Sequence, residues 1–267
     1  MKLKLIVALS ALASLASAAE VPVVEPAQAQ LEALAERRNL ISSLKTRLRN
    51  GKESITVRMQ ASGSLVNMVR DGKAGAGEVA QALGETAKAE GNGVVAWIAI
   101  RDLKKLGTLP ATGSAAAVDA LLEVMGRSTD AKKGFGFRAE AADALTGIAL
   151  AAAPDADRIV DALDRGLDET PTNKYYQRHL VADLASLGTG LEKGAAAPAV
   201  RALIKAVEKG NSRADGYEVR DLAAAALVGL VDAGKADRGE VVAAFKRVAA
   251  KSGDRYRDAV KRRIDEL

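Results

Sequence analysis

Apolar residues recur along most of this chain at spacings of three and four, and the strict alternation of a half-buried strand is missing. In one stretch Val118, Leu121, Leu122 and Met125 share a face; in another Ile159, Val160, Leu163 and Leu167 do. Such spacing paints one side of an α-helix with hydrophobic groups. Stretches of this kind cover residues 78–88, 115–125, 156–167, 199–207 and 241–250. Each precedes a second helical segment. Three of these second segments, 137–148, 177–188 and 219–230, align without gaps. Each carries an arginine (Arg138, Arg178, Arg220) followed three and four positions later by small or aliphatic residues. A shorter copy spans 256–260, and a degenerate one spans 94–106.

The punctuation agrees with this division. Ser114, Asp155 and Asp237 stand where helix N-caps belong, and Asp237 with Glu240 has the spacing of a capping box. Gly126, Gly188, Gly210 and Gly234 stand where helices should stop. A hairpin with one apolar face can bury it only against another copy, so repeated hairpins should stack into a continuous core. The expected fold is all-α: an α-solenoid of about five helical hairpins over residues 76–267, with an N-terminal helical hairpin as a cap over 31–75. In that cap Leu34, Ile41 and Leu48 recur at seven, beside Leu31 and Leu44, and Gly51 and Lys52 form the turn to a second helix near 53–70. A short oligomerising coiled coil is the alternative for the same leucines.

The strings EVRDLAAAALVGLVDAG (218–234) and GFRAEAADALTGIA (136–149) resemble the second helix of HEAT-type repeats. The nearest flavour is the short HEAT-like repeat first associated with bilin lyases, whose pattern runs roughly V-R-x-x-A-A-x-A-L-x-x-L. The resemblance extends over residues 76–267, clearest in these two copies. The loops between paired helices are long for that family, and its usual Gly-Asp-Pro before the first helix is absent. The resemblance implies a right-handed superhelix and a protein-binding role, with no catalytic residues to carry over.

Composition narrows the chemistry. Alanine supplies 55 of 267 residues, and aromatic residues only 3%, against 48% hydrophobic in all. Alanine is the best helix former, so thin, closely approaching helices follow. With no cysteine there is no disulfide framework, cysteine-zinc site or thiolate nucleophile, and with His179 alone no multi-histidine metal site. No Gly-x-Ser-x-Gly elbow or phosphate loop accompanies His179. The protein is expected to be no enzyme and to hold no cofactor or metal.

The start of the chain reads as an address. Lys2 and Lys4 precede an apolar run from Leu5 to about Ala16, and Ala16-Ser17-Ala18 matches a small-residue cleavage signal. Residues 1–18 are expected to be a signal peptide, cleaved after Ala18 with Ala19 the near alternative, and 19–30 a linker. The destination is periplasmic or secreted, which disfavours both a bilin lyase and a nucleic-acid partner. The formal charge of +5 is unevenly spread. Residues 31–73 hold nine basic against four acidic groups, 74–236 hold 19 against 22, and 237–267 hold nine against six.

Two features invite a functional interpretation. Six of the eight aromatics (Phe135, Phe137, Tyr175, Tyr176, Tyr217 and Tyr256) fall in loops between paired helices or at the start of the second helix. In three repeats one stands three residues before the arginine: Phe135 and Arg138, Tyr175 and Arg178, Tyr217 and Arg220. With Arg257 these residues form the expected partner-binding row, since Tyr and Arg are enriched in interface hot spots. The competing expectation is that the rings plug the hairpin ends and the arginines join an ion ladder with Asp143 and Asp183. The second feature is Asp157, Asp161, Asp164 and Asp168, whose spacing puts four carboxylates on one helical face. The expected function is a secreted or periplasmic scaffold mediating protein–protein interaction. The alternative is an envelope-associated factor holding an anionic polymer or lipid surface with its basic ends; an unrecognised hydrolase ranks third.

Overall fold

The computed structural model describes residues 24–89, 93–109, 114–126, 135–151, 155–169, 173–209, 217–251 and 254–267, and side chains from residue 28 onward except those of residues 135, 217, 254 and 255. The expected signal peptide, 1–18, lies outside the described residues. All regular structure in the described residues is helical. Twelve helices follow in order: α1 (Val24–Arg49), α2 (Ile55–Arg70), α3 (Ala76–Ala89), α4 (Gly93–Gly107), α5 (Ser114–Met125), α6 (Phe135–Ala151), α7 (Ala156–Glu169), α8 (Lys174–Gly190), α9 (Lys193–Lys209), α10 (Tyr217–Asp232), α11 (Arg238–Lys251) and α12 (Asp254–Glu266). The count exceeds what five hairpins hold by α1 and α2. None of these helices is long and apolar enough to cross a membrane.

The chain divides into two compact units between Ser43 and Leu44. The described part of the first is the bulk of α1, in which Leu31 and Leu34 are exposed and Ile41 is buried. α1 opens at Val24, within the stretch expected to be linker. Pro26 falls in its first turn, where an N–H would have no helical acceptor in any case.

The second unit is an α-solenoid of two layers. The even-numbered helices α2 to α12 stack neighbour on neighbour in one layer, and α3, α5, α7, α9 and α11 occupy the other. The repeat pattern explains the core between them. Ala141, Ala142 and Leu145 of α6 and Ala223, Ala224 and Leu227 of α10 are all fully or almost fully buried. In α8 the equivalent run is looser: Val181, Leu184 and Leu187 are buried, while Ala182 is exposed. Small residues set the spacing. A Cβ on Gly107 would lie 2.3 Å from Ile148 Cδ1, so α4 and α6 approach as closely as glycine permits.

Helix ends follow the punctuation in part. Gly234, with φ 69°, ends α10 as expected, and Gly72, with φ 68°, ends α2 in the same way. The N–H groups of Lys235 and Lys73 then reach back to Leu230 O and Met68 O. Asp237 Oδ1 accepts the Glu240 N–H at 2.8 Å, the expected cap of α11. Gly188 does not stop its helix: α8 continues to Gly190, and a Cβ at Gly188 would meet Leu230 Cδ1 at 2.8 Å. This glycine serves contact between α8 and α10 rather than termination. Ser114 Oγ donates to Asp155 Oδ2 at 3.2 Å, joining one hairpin to the next. α9 starts at Lys193, before Pro198 rather than after it, so the proline lies inside the helix, where it lacks the N–H that would bond to the carbonyl of Gly194.

Candidate functional site

The last carbonyls of a helix have no intrahelical donor. In this fold a side chain near the start of the following helix supplies one. Arg58 Nε donates to Leu48 O at 2.8 Å, Gln177 Nε2 to Leu167 O at 3.2 Å and Arg220 Nε to Val207 O at 2.9 Å. Arg220 also reaches Glu208 O at 3.1 Å. Of the recurrent arginines, Arg220 thus closes its own hairpin.

Two of the recurrent arginines, Arg138 and Arg220, stack on tyrosines of the next repeat. Arg138 lies over the Tyr176 ring, 4.7 Å from its centroid, and Arg220 over Tyr256 at 4.6 Å. Tyr176 is fully buried, Tyr256 is 2% exposed, and Arg138 and Arg220 are 7% and 8% exposed. Burial pushes both phenols up to about 12, against the pull of the neighbouring guanidinium. These four residues of the expected partner-binding row are therefore interior. They plug the seams between hairpins, since a ring over a guanidinium satisfies the charge while covering the core. Phe137 is half-buried, its Cζ 3.5 Å from where a Gly93 Cβ would be. The side chains of Phe135 and Tyr217 lie outside the described residues.

Three members of the row remain at the surface to some degree: Tyr175, Arg178 and Arg257, the last half-buried. Tyr175 is 59% exposed and meets His179 edge-on, with centroids 4.4 Å apart. Arg178 pairs with Glu218 at 2.7 Å across α8 and α10. Below them runs an open, mainly apolar groove of about 480 Å³, lined by Arg178, His179, Ala182, Ala185, Leu222 and Ala225 among others. The groove exists because alanine stops at Cβ, so the outer faces of α8 and α10 leave a furrow that longer side chains would fill. Leu222 stands exposed on its wall. Residue type does not distinguish these alanines from those of the core. Their one available signal is spacing, with Ala182 and Ala185 three apart and Ala225 and Ala226 one turn after Leu222.

The four aspartates of α7 do not act as a set. Asp164 and Asp168 both hold Lys205, at 2.6 and 2.7 Å. Among the described residues no group of three or more His, Asp or Glu could hold a metal ion. A second hollow, about 430 Å³ between α3 and α5, is lined by Glu85, Lys88, Asp119 and Glu123. Each of these charges is engaged, with Arg49, Glu123, Arg158 and Lys88 respectively.

No family model matches the chain, and no curated protein matches it. Among solved structures, the crystal structure of one engineered protein shares 20% identity over 85% of this chain and 95% of its own, with a TM-score of 0.42. A second engineered protein shares 17% over 85% and 97%, with a TM-score of 0.41. A structure described as a computationally designed self-assembling cyclic homo-oligomer shares 16% over 91% and 94%, with a TM-score of 0.20.

Proposed function

We propose that this protein is a secreted or periplasmic, non-enzymatic scaffold of HEAT-like repeats that binds a protein partner in the groove between α8 and α10. The address rests on the charged start, apolar run and Ala16-Ser17-Ala18 signal. The repeat assignment rests on the recurrent arginine and alanine pattern. The observation that carries the binding site is the alanine-floored groove with Tyr175, Arg178 and His179 at one end and Leu222 on its wall. Its floor accepts a partner's larger side chains, and its rim offers the residue types that anchor interfaces. Because both walls belong to packed helices, little conformational entropy is lost on binding.

A photo-crosslinking residue replacing Ala182 or Ala225 in the full chain, expressed in cells, tests this. Specific adducts are expected from both positions and not from Ala115, which is exposed on α5 of the other layer. Leu222→Glu should abolish the adducts while leaving the melting temperature unchanged. Adducts of equal strength from Ala115, or adducts insensitive to Leu222→Glu, refute the groove. Binding that collapses steeply with added salt and ignores Leu222→Glu would instead support an anionic polymer held by the basic ends.

A further inference from the structure

Successive hairpins of the second unit are joined by polar ties about one repeat apart. In the odd-numbered layer they are Lys88 to Glu123, Arg158 to Asp119, Lys205 to Asp164 and Asp168, and Arg247 to Glu208. In the even-numbered layer Ser62 donates to Asp102 (α2 to α4) and Lys104 pairs with Asp143 at 3.0 Å (α4 to α6). Beyond that, Arg178 pairs with Glu218 (α8 to α10) and Arg263 with Asp221 at 3.3 Å (α10 to α12).

The α6–α8 seam is built differently: in place of an ion pair, Arg138 of α6 stacks on Tyr176 of α8. Two turns further along, α8 carries Asp183, a buried carboxylate that faces the Thr146 hydroxyl of α6 and has the Asp143 carboxylate nearby. Asp183 is 8% exposed, and its Oδ2 has no hydrogen-bond partner among the described residues. A buried carboxylate with an empty acceptor site and a like charge beside it is costly when ionised and tolerable when protonated. We propose that the α6–α8 seam is a proton-controlled joint, closed while Asp183 is neutral and loosened when Asp183 ionises.

The surrounding groups favour this. Burial and the Asp143 charge push the Asp183 carboxyl up to about 7, against smaller opposing effects of the Thr146 hydroxyl and Lys104. Asp143 and Thr146 come from α6, and Lys104 from α4. On α8 itself His179 stands one turn before Asp183 and the phenol of Tyr176 two turns before, the latter with Arg138 of α6 and Glu169 of α7 among its charged neighbours. From α7, α9 and α10 no charge bears on Asp183 among the described residues. The sign follows from linkage. The closed seam holds a proton that an opened, hydrated Asp183 releases at its ordinary value near 4, so opening is favoured as pH rises from about 4 to about 7 and levels off above. The two hairpins stay attached through Arg158 and Asp119 in the odd layer, so the motion is a loosening of one layer.

Hydrogen exchange of the full chain, read by mass spectrometry at several pH values and corrected for intrinsic rates, tests the joint. The opening equilibrium of α6 and α8 amides should rise by up to about tenfold per pH unit between about 4 and 7, then flatten. Amides of α3 and α4 should show no such slope, and Asp183→Asn should remove it from α6 and α8. A pH-independent wild type, or a slope that survives in Asp183→Asn, overturns the proposal. Should the variant fail to fold, the side-chain carboxyl ¹³C resonance of Asp183 in the wild-type chain decides. A midpoint near 7 supports the joint, and one near 4 overturns it.

Discussion

Tyr175 and Tyr176 are adjacent in the chain but lie about 100° apart around α8, and replacing each by alanine should have very different consequences. Tyr176 is fully buried under the Arg138 guanidinium, with its hydroxyl 3.3 Å from where a Gly166 Cβ would lie. Truncating a buried aromatic costs about 3–5 kcal/mol through lost burial and the cavity left behind. The value should lie toward the upper end here, because Arg138, 7% exposed, would lose the ring it covers. Tyr175 is 59% exposed, and its main described contact is the edge of His179, so Tyr175→Ala should cost about 1 kcal/mol or less. For a unit of this size each kcal/mol moves the midpoint by about 2–4 °C. Thermal melts of the full chain by circular dichroism should therefore show a drop of about 10 °C or more for Tyr176→Ala and a few degrees at most for Tyr175→Ala. Similar losses for the two variants would refute the assignment of Tyr176 as a seam plug and of Tyr175 as a surface group.

Other expectations follow from the same packing. Arg220→Ala removes donors to Val207 O and Glu208 O and the stack on Tyr256, and should cost about 2–4 kcal/mol in urea unfolding, with Arg220→Lys a poor rescue. Arg178→Ala breaks a half-exposed pair with Glu218 and should change stability by about 1 kcal/mol at most. Gly107→Ala forces a Cβ into Ile148 and should cost about 1–3 kcal/mol, whereas Gly63→Ala, with open space around its Cβ, should stabilise α2 by about 0.5–1 kcal/mol. Because Tyr176 and Tyr256 are held near 12 in the fold against an ordinary value of 10, the unfolded chain ionises first and stability should fall as pH rises from about 10 to about 12. Urea midpoints at pH 9 and 11 should differ less in Tyr176→Phe and Tyr256→Phe than in the wild type.

The ties along each layer give the solenoid a physical character that its alanine-rich core alone would not. Alanine contributes little area per residue, so the hairpins rely on close approach, as at Gly107 and Gly188, and on a polar link at most seams. A groove between two helices held this way keeps its width without a partner. That is the property a binding scaffold needs, and it is also why a buried carboxylate in one seam, Asp183, stands out.

The helical class, the recurrence of the segments carrying Arg138, Arg178 and Arg220, and the buried alanines and leucines are legible in the sequence, because each is a local property. Helical periodicity follows from backbone geometry, and residues such as Ala141, Ala142 and Leu145 declare a face within one turn and a half. The pairing of aromatics with arginines was not legible in the same way. Sequence proximity joined Tyr175 to Arg178 and Tyr217 to Arg220, whereas stacking joins Arg138 to Tyr176 and Arg220 to Tyr256, one repeat further along. The phase of α8, which decides that Tyr176 faces inward and Tyr175 outward, is set where Asn173 accepts the Tyr176 N–H at 2.9 Å. Alanine is equally mute about its role. In α10, Ala223 and Ala224 sit in the core while Ala225 and Ala226 line the groove, and the four are chemically identical. The sequence by itself determined that helices form, roughly where they stop and which stripe of each is apolar. Only the tertiary structure decided which polar groups meet across a seam, because those contacts depend on the distance and angle between neighbouring helices, which no single helix encodes.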